Sequence, residues 1–210
     1  MLAKIKSLID NYWYYYKWYV IGGLFLVFAL VVGLSQSFNR EKYDVSVIWA
    51  MHGYVEQPYL DAMEEEFEKY VDDIDGNGEV NVRIILITYT SDGGMLNSDI
   101  ELSMQQKLVT QLSAGDVYIV VADGISYEGY MTKLNAFEDL EDDYPDNDKI
   151  DGFKYYLKDT VIAQNELLKE IIDEDTFMVM ASDELEKLTG GNKALHEKMR
   201  ETFDRIVKAG

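Results

Sequence analysis

The apolar positions of this chain change their rhythm along its length, and each rhythm predicts a different element. The first is unbroken: Trp18 to Leu34 reads WYVIGGLFLVFALVVGL, without a charge. As a helix rising about 1.5 Å per residue it covers about 25 Å, so it needs Tyr14 to Tyr16 on one side and Ser35 to Phe38 on the other to cross a hydrocarbon layer of about 30 Å. The expectation is a transmembrane anchor over residues 18–38. The row Tyr12-Trp13-Tyr14-Tyr15-Tyr16-Lys17-Trp18-Tyr19 favours it over a buried core helix, because amphipathic rings settle in the headgroup layer. A cleaved signal peptide would want a shorter apolar core and small residues at the cleavage point, and Gly33-Leu34-Ser35 is a poor one.

Shorter apolar runs then alternate with helical spacing. Tyr43 to Ala50 suits a strand, and Gln57-Pro58 opens a helix whose apolar face is Leu60, Met63, Phe67, Tyr70 and Val71. The acidic run Asp61, Glu64, Glu65, Glu66, Glu68 reads as the solvated face of that helix. A second strand is expected over 80–90, a helix over 99–113 and a third, fully buried strand over 116–123. Gly124 to Leu134 reads as a short helix and AFEDLEDDYPDNDKIDG as an exposed loop. Residues 153–164 fit either a strand or an extended loop, 165–172 a short helix and 176–182 a further strand. From Asn192 the positions Leu195, Met199, Phe203, Ile206 and Val207 mark a closing amphipathic helix. Strands separated by helices predict a single three-layer α/β domain over 43–210, with a mostly parallel sheet of about four to five strands.

Charge adds a compartment to this picture. The chain has 39 Asp and Glu against 19 Lys and Arg, a formal charge of −20, and every acidic residue except Asp10 follows residue 40. Such a domain is repelled by phosphates, which argues against a nucleic acid partner, and by an anionic cytoplasmic leaflet. Lys4, Lys6 and Lys17 precede the span while Arg40 and Lys42 follow it, so residues 1–17 are expected as a cytoplasmic tail and the domain as extracytoplasmic. The absence of cysteine excludes a lipoprotein anchor and fits a domain that does without disulfides.

Chemistry is sparser. Asp73-Ile74-Asp75-Gly76-Asn77-Gly78-Glu79-Val80-Asn81 places hard oxygen donors on alternate residues around a glycine turn. Set against the calcium loop of EF-hands, Asp73, Asp75 and Asn77 fall at positions one, three and five, Gly78 at the tight turn and Glu79 at the backbone-carbonyl position. Ile84 stands where a bidentate Glu belongs, so a calcium site here needs a carboxylate from elsewhere; an Asn-Gly turn joining helix to strand uses the same residue types. In open parallel sheets ligands gather beyond the carboxyl ends of the strands, which makes Trp49, His52, Tyr54, Asp92, Asp123 and Tyr127 a candidate ligand lip for a small solute. With no Cys, only His52 and His196, and neither a phosphate loop nor a Gly-x-Ser-x-Gly turn, the chain lacks enzymatic signatures. His196 is expected at the surface.

The strand ending in Trp49-Ala50-x-His52, the phrase Leu112-Ser113-Ala114-Gly115-Asp116-Val117 before a strand, and Leu134-Asn135-Ala136-Phe137-Glu138-Asp139-Leu140 after it carry a resemblance. Over about residues 43–145 the chain resembles the first lobe of bacterial extracellular solute-binding proteins of the type II periplasmic class. The resemblance implies a single lobe, without the second lobe and the clamshell cleft that family members have; with the sparse enzymatic signatures, the expectation is a binding or interaction role and no catalysis. Two other readings compete. In one, the chain is a structural accessory of a membrane complex, with Gly22, Gly23 and Gly33 allowing close approach to partner subunits. In the other it is a metal-dependent hydrolase, although no nucleophile or base stands at recognisable spacing from the acidic loops.

Overall fold

The computed structural model describes residues 2–38, 43–89, 98–134, 136–182 and 193–210. It divides into two units, Met1–Lys42 and Tyr43–Gly210. The first is α1 (Leu2–Phe38), a helix of 37 residues that runs without a break from the basic tail through the apolar run. Its segment Trp13–Val32 is long and apolar enough to cross a membrane. Leu24, Phe25 and Phe28 are all exposed on it.

The second unit is a mixed α/β domain. Its strands are β1 (Val45–His52), β2 (Val82–Tyr89), β3 (Val117–Asp123), β4 (Ile150–Asp151), β5 (Lys154–Tyr156) and β6 (Thr176–Met180). Its helices are α2 (Gln57–Glu68), α3 (Ser98–Ala114), the single turn α4 (Gly124–Ser126), α5 (Leu168–Ile171) and α6 (Lys193–Ala209). One six-stranded sheet has the order β2-β1-β3-β6-β5-β4. β1 pairs in parallel with β2 and with β3, whereas β6, β5 and β4 continue the sheet antiparallel.

The expected sheet of about four to five mostly parallel strands is therefore corrected to six strands with only three in parallel. Strands of 2 and 3 residues, β4 and β5, are too short to show a period. A buried run such as Thr176–Met180 has no directional signature either, because full burial removes the alternation that register reading needs. The centre is as dry as the sequence implies: Val47, Ile48, Trp49 and Ala50 of β1, Ile119 to Ala122 of β3 and Phe177 to Met180 of β6 are all fully enclosed. Met199, Phe203, Ile206 and Val207 of α6 complete the core at helical spacing.

The acidic stretch after Leu134 is likewise more than an exposed loop. Ala136, Phe137 and Leu140 are buried, Phe137 bridges to Ala181, and the Glu138 amide donates to the Met180 carbonyl at 2.9 Å. Its acids are collected by α6: the Arg200 guanidinium pairs with Glu138 and Asp143 and reaches Asp204 at 3.4 Å. His196 is half-buried in the same region rather than at the surface, its ring edge-on to Tyr118 and its Nε2 3.2 Å from Glu138.

The outer edge of β2 is partly covered by side chains. Alternate residues of a strand turn their peptide groups to opposite neighbours, and Val82, Ile84 and Leu86 turn theirs away from β1. The Glu64 carboxylate accepts from the Ile84 amide at 2.8 Å and Glu68 from the Val82 amide at 3.5 Å, while Lys107 Nζ donates to the Leu86 carbonyl at 2.9 Å. Four residues along a helix advance about 6 Å and two along a strand about 6.6 Å, so Glu64 and Glu68 match consecutive outward amides. The acidic run expected as a solvated face thus supplies the guard of a sheet edge, and Glu66 within it is buried against Lys69 and Asn165.

Candidate functional site

Two places in the domain concentrate polar chemistry, one at each end of the parallel strands. The first is the turn between α2 and β2. Gly76 and Gly78 have φ of 72° and 89°, the left-handed region that glycine enters without a Cβ clash. The chain closes around Asp73, which accepts from the amides of Gly76 at 2.7 Å, Asn77 at 3.2 Å and Gly78 at 2.8 Å. The Gly78 amide first, then those of Gly76 and Asn77, hold the Asp73 carboxyl below the ordinary carboxylate range. Asn77 and Asp75 are drawn into the same turn, the Asn77 side-chain oxygen accepting from the Glu79 amide at 2.7 Å and Asp75 from the Asn77 amide at 3.0 Å.

A carboxylate from outside the turn, Asp44 at the entrance to β1, meets it. It is 6% exposed and accepts from the amides of Ile74 at 2.7 Å, Asp75 at 3.2 Å and Asn81 at 2.9 Å. Asp44, Asp73 and Asp75 each bring an oxygen within 4.8 Å of the others, an arrangement that can hold a metal ion. Of the four loop residues singled out in the sequence, Asp73 and Asp75 enter this cluster, whereas Asn77 and Glu79 serve the turn itself. Asp72, just before it, forms a two-pronged pair with Arg205 of α6 at 2.9 and 2.7 Å. Arg205 lowers the Asp72 carboxyl in turn, so the turn is tied to β1 on one side and α6 on the other.

The second place is the carboxyl-end face. Asp123 closes β3 and binds two neighbours: Oδ2 accepts from the His52 amide at 2.5 Å and Oδ1 from the Ser126 amide at 2.7 Å, capping α4. His52 and Asp123 therefore meet at the rim, and Tyr54, 85% exposed, stands two residues beyond His52. Trp49 is fully enclosed within β1, and Tyr127 is buried against Phe137 and Phe177. Asp92 lies outside the described residues. A Cβ at Gly124 would meet the carboxylate end of the exposed Asp175 side chain, which would have to swing aside, while the Gly124 amide donates to the Asp175 carbonyl at 3.1 Å.

Several residues of this face carry no sequence signal of their own. Tyr130 stacks on Tyr89 with ring centroids 3.9 Å apart and planes 9° from parallel, and burial raises the Tyr89 phenol far above its ordinary range. Lys154 of β5 places its ammonium over the rings of Tyr127 and Phe177. Both partnerships join residues from separate elements, and only the sheet order brings those elements together. Comparison with protein families, curated proteins and solved structures finds no match to this chain.

Proposed function

We propose that this chain is a membrane-anchored, extracytoplasmic binding or interaction domain, resembling one lobe of a solute-binding protein and carrying no catalysis. The observation that carries the reading is the span Trp13–Val32, none of it buried by the protein, joined to a domain that holds nearly all of the acidic charge. Lysines before the span favour a cytoplasmic N-terminus, and the charge of the domain favours the outer face. The alternation of strands and helices supports reading the domain as a three-layer unit, its sheet covered by helices. Its ligand face is the carboxyl end of β1 and β3, where the order β2-β1-β3 diverges from β1.

Topology is the decisive test. Protease added to intact cells should remove residues 43–210 and leave a fragment the size of α1 in the membrane. Protection of the domain until lysis, or a domain found free of α1, would overturn the reading.

Within it, the turn holds calcium through Asp44, Asp73 and Asp75, three hard oxygen donors around a tight turn. An ion that binds only the folded state adds roughly 2.7 kcal/mol when present at about 100 times its Kd. For the full chain in detergent, adding chelator should therefore lower Tm by several degrees, calcium should restore it, and Asp75→Ala should erase the difference. Equal Tm values with calcium and with chelator in the unaltered chain would sink the calcium assignment.

A further inference from the structure

In a chain so rich in acids, Lys154 forms no salt bridge among the described residues. Instead its Nζ lies 4.7 Å from the centroid of the Phe177 ring and 5.2 Å from that of Tyr127. The two rings meet edge to face, 5.2 Å apart and 79° from parallel, so they form the walls of a corner with the ammonium inside it. Tyr156 backs Phe177 at 5.7 Å and Phe137 backs Tyr127 at 6.0 Å. A cavity of about 40 Å³ adjoins the corner, lined by Tyr127, Met131, Thr132, Ala136, Phe137 and Phe153.

The walls are fixed and the occupant is not. Phe177 sits in β6, in register with Ala122 of β3 and Tyr156 of β5, and Tyr127 follows β3 through the α4 turn. Both aromatic residues are buried, whereas Lys154 is half-exposed on a flexible stem. A primary ammonium is strongly hydrated and gives up much water to sit on a ring face, whereas an alkylated one gives up less and keeps the same attraction to the ring quadrupole. Perpendicular aromatic walls are the surroundings in which quaternary ammonium groups are held.

We propose that the Tyr127–Phe177 corner is a binding site for a quaternary ammonium group, and that Lys154 is its built-in occupant, displaced when such a ligand arrives. The register of Phe177 with Ala122 sets the corner beside the carboxyl end of β3, so the proposal rests on the reading of that face as the ligand-bearing one. It gives that face a ligand class.

The test titrates tetramethylammonium and choline, against sodium at equal ionic strength, into the full chain held in a detergent without choline headgroups. The aromatic ring protons of Tyr127 and Phe177 are followed by NMR. Saturable shifts at both rings are expected, with an affinity at least tenfold higher in Lys154→Met, where no side-chain ammonium competes for the rings, and no such gain in Lys154→Arg. A parallel arm compares nanodiscs of phosphatidylcholine with nanodiscs of phosphatidylglycerol; ring shifts only in the former would assign the same chemistry to a lipid headgroup instead of a free solute. Absence of saturable binding to both soluble probes and phosphatidylcholine in Lys154→Met overturns the proposal, provided that variant keeps the circular dichroism of the unaltered chain. Lys154→Gln repeats the measurement should the methionine variant not fold. Failure here would remove the ammonium ligand and leave the anchored topology to the protease experiment.

Discussion

Trp49→Ala is expected to destabilise the domain by about 3–5 kcal/mol, the range for truncating a large aromatic side chain inside a packed core. Trp49 lies in β1, the strand that pairs with both β2 and β3, and it is fully enclosed. Its register partners are Leu86 and Val121, so a void at this point undermines two strand pairings at once. The indole Nε1 has no hydrogen-bond partner among the described residues, and Trp49→Phe therefore forfeits volume but no polar contact. That second substitution should cost about 1–2 kcal/mol. Urea unfolding of the full chain in detergent, followed by far-ultraviolet circular dichroism, measures both. Equal losses for alanine and phenylalanine would show that packing of the ring is not what the site supplies.

Asp44→Ala should have the second-largest effect, a loss of about 2–4 kcal/mol measured in the same way. One buried carboxylate accepts from three amides, those of Ile74, Asp75 and Asn81, and hydrogen bonds to a charged acceptor contribute about 1.5–3 kcal/mol each when broken singly. Exposure of the turn lets water recover part of the loss, which keeps the sum below three such bonds. Asp44→Asn retains one acceptor oxygen and should fall between. A chain with Asp44→Ala as stable as the original would mean that the turn holds its shape without β1, and would free Asp44 from any structural duty beside the metal-ion cluster.

The parts of this fold written in local periodicity are legible in the order of residues alone. β1, β2 and β3 are apolar runs bounded by turn residues, and α2 and α6 carry apolar stripes at helical spacing, so their existence and order follow from the chain itself. Direction and partnership are not local properties. Nothing in Thr176–Met180 states that it runs against β3, and nothing in Lys154 states that it will meet the rings of Tyr127 and Phe177. The turn at Asp73 illustrates the same division. Its alternating oxygen donors and its glycines are plain, but Asp44 precedes it by a whole strand and helix, and only the closing of β1 against β2 carries that carboxylate to the turn. The acids of α2 mislead because a charged helix face looks the same whether it meets water or the bare amides of a neighbouring strand.

That neighbouring strand has a consequence for how many copies of the protein can live together. On the anchored reading proposed above, the population would be confined to two dimensions, where molecules collide often, conditions that favour exposed strands zipping into continuous ribbons between neighbours. Here two outward amides of β2, those of Ile84 and Val82, are engaged by Glu64 and Glu68, and the opposite flank ends in a strand of 2 residues, too brief to template another. Such crowding would bring the domains side by side while these side chains and the short end strand hinder their sheets from merging.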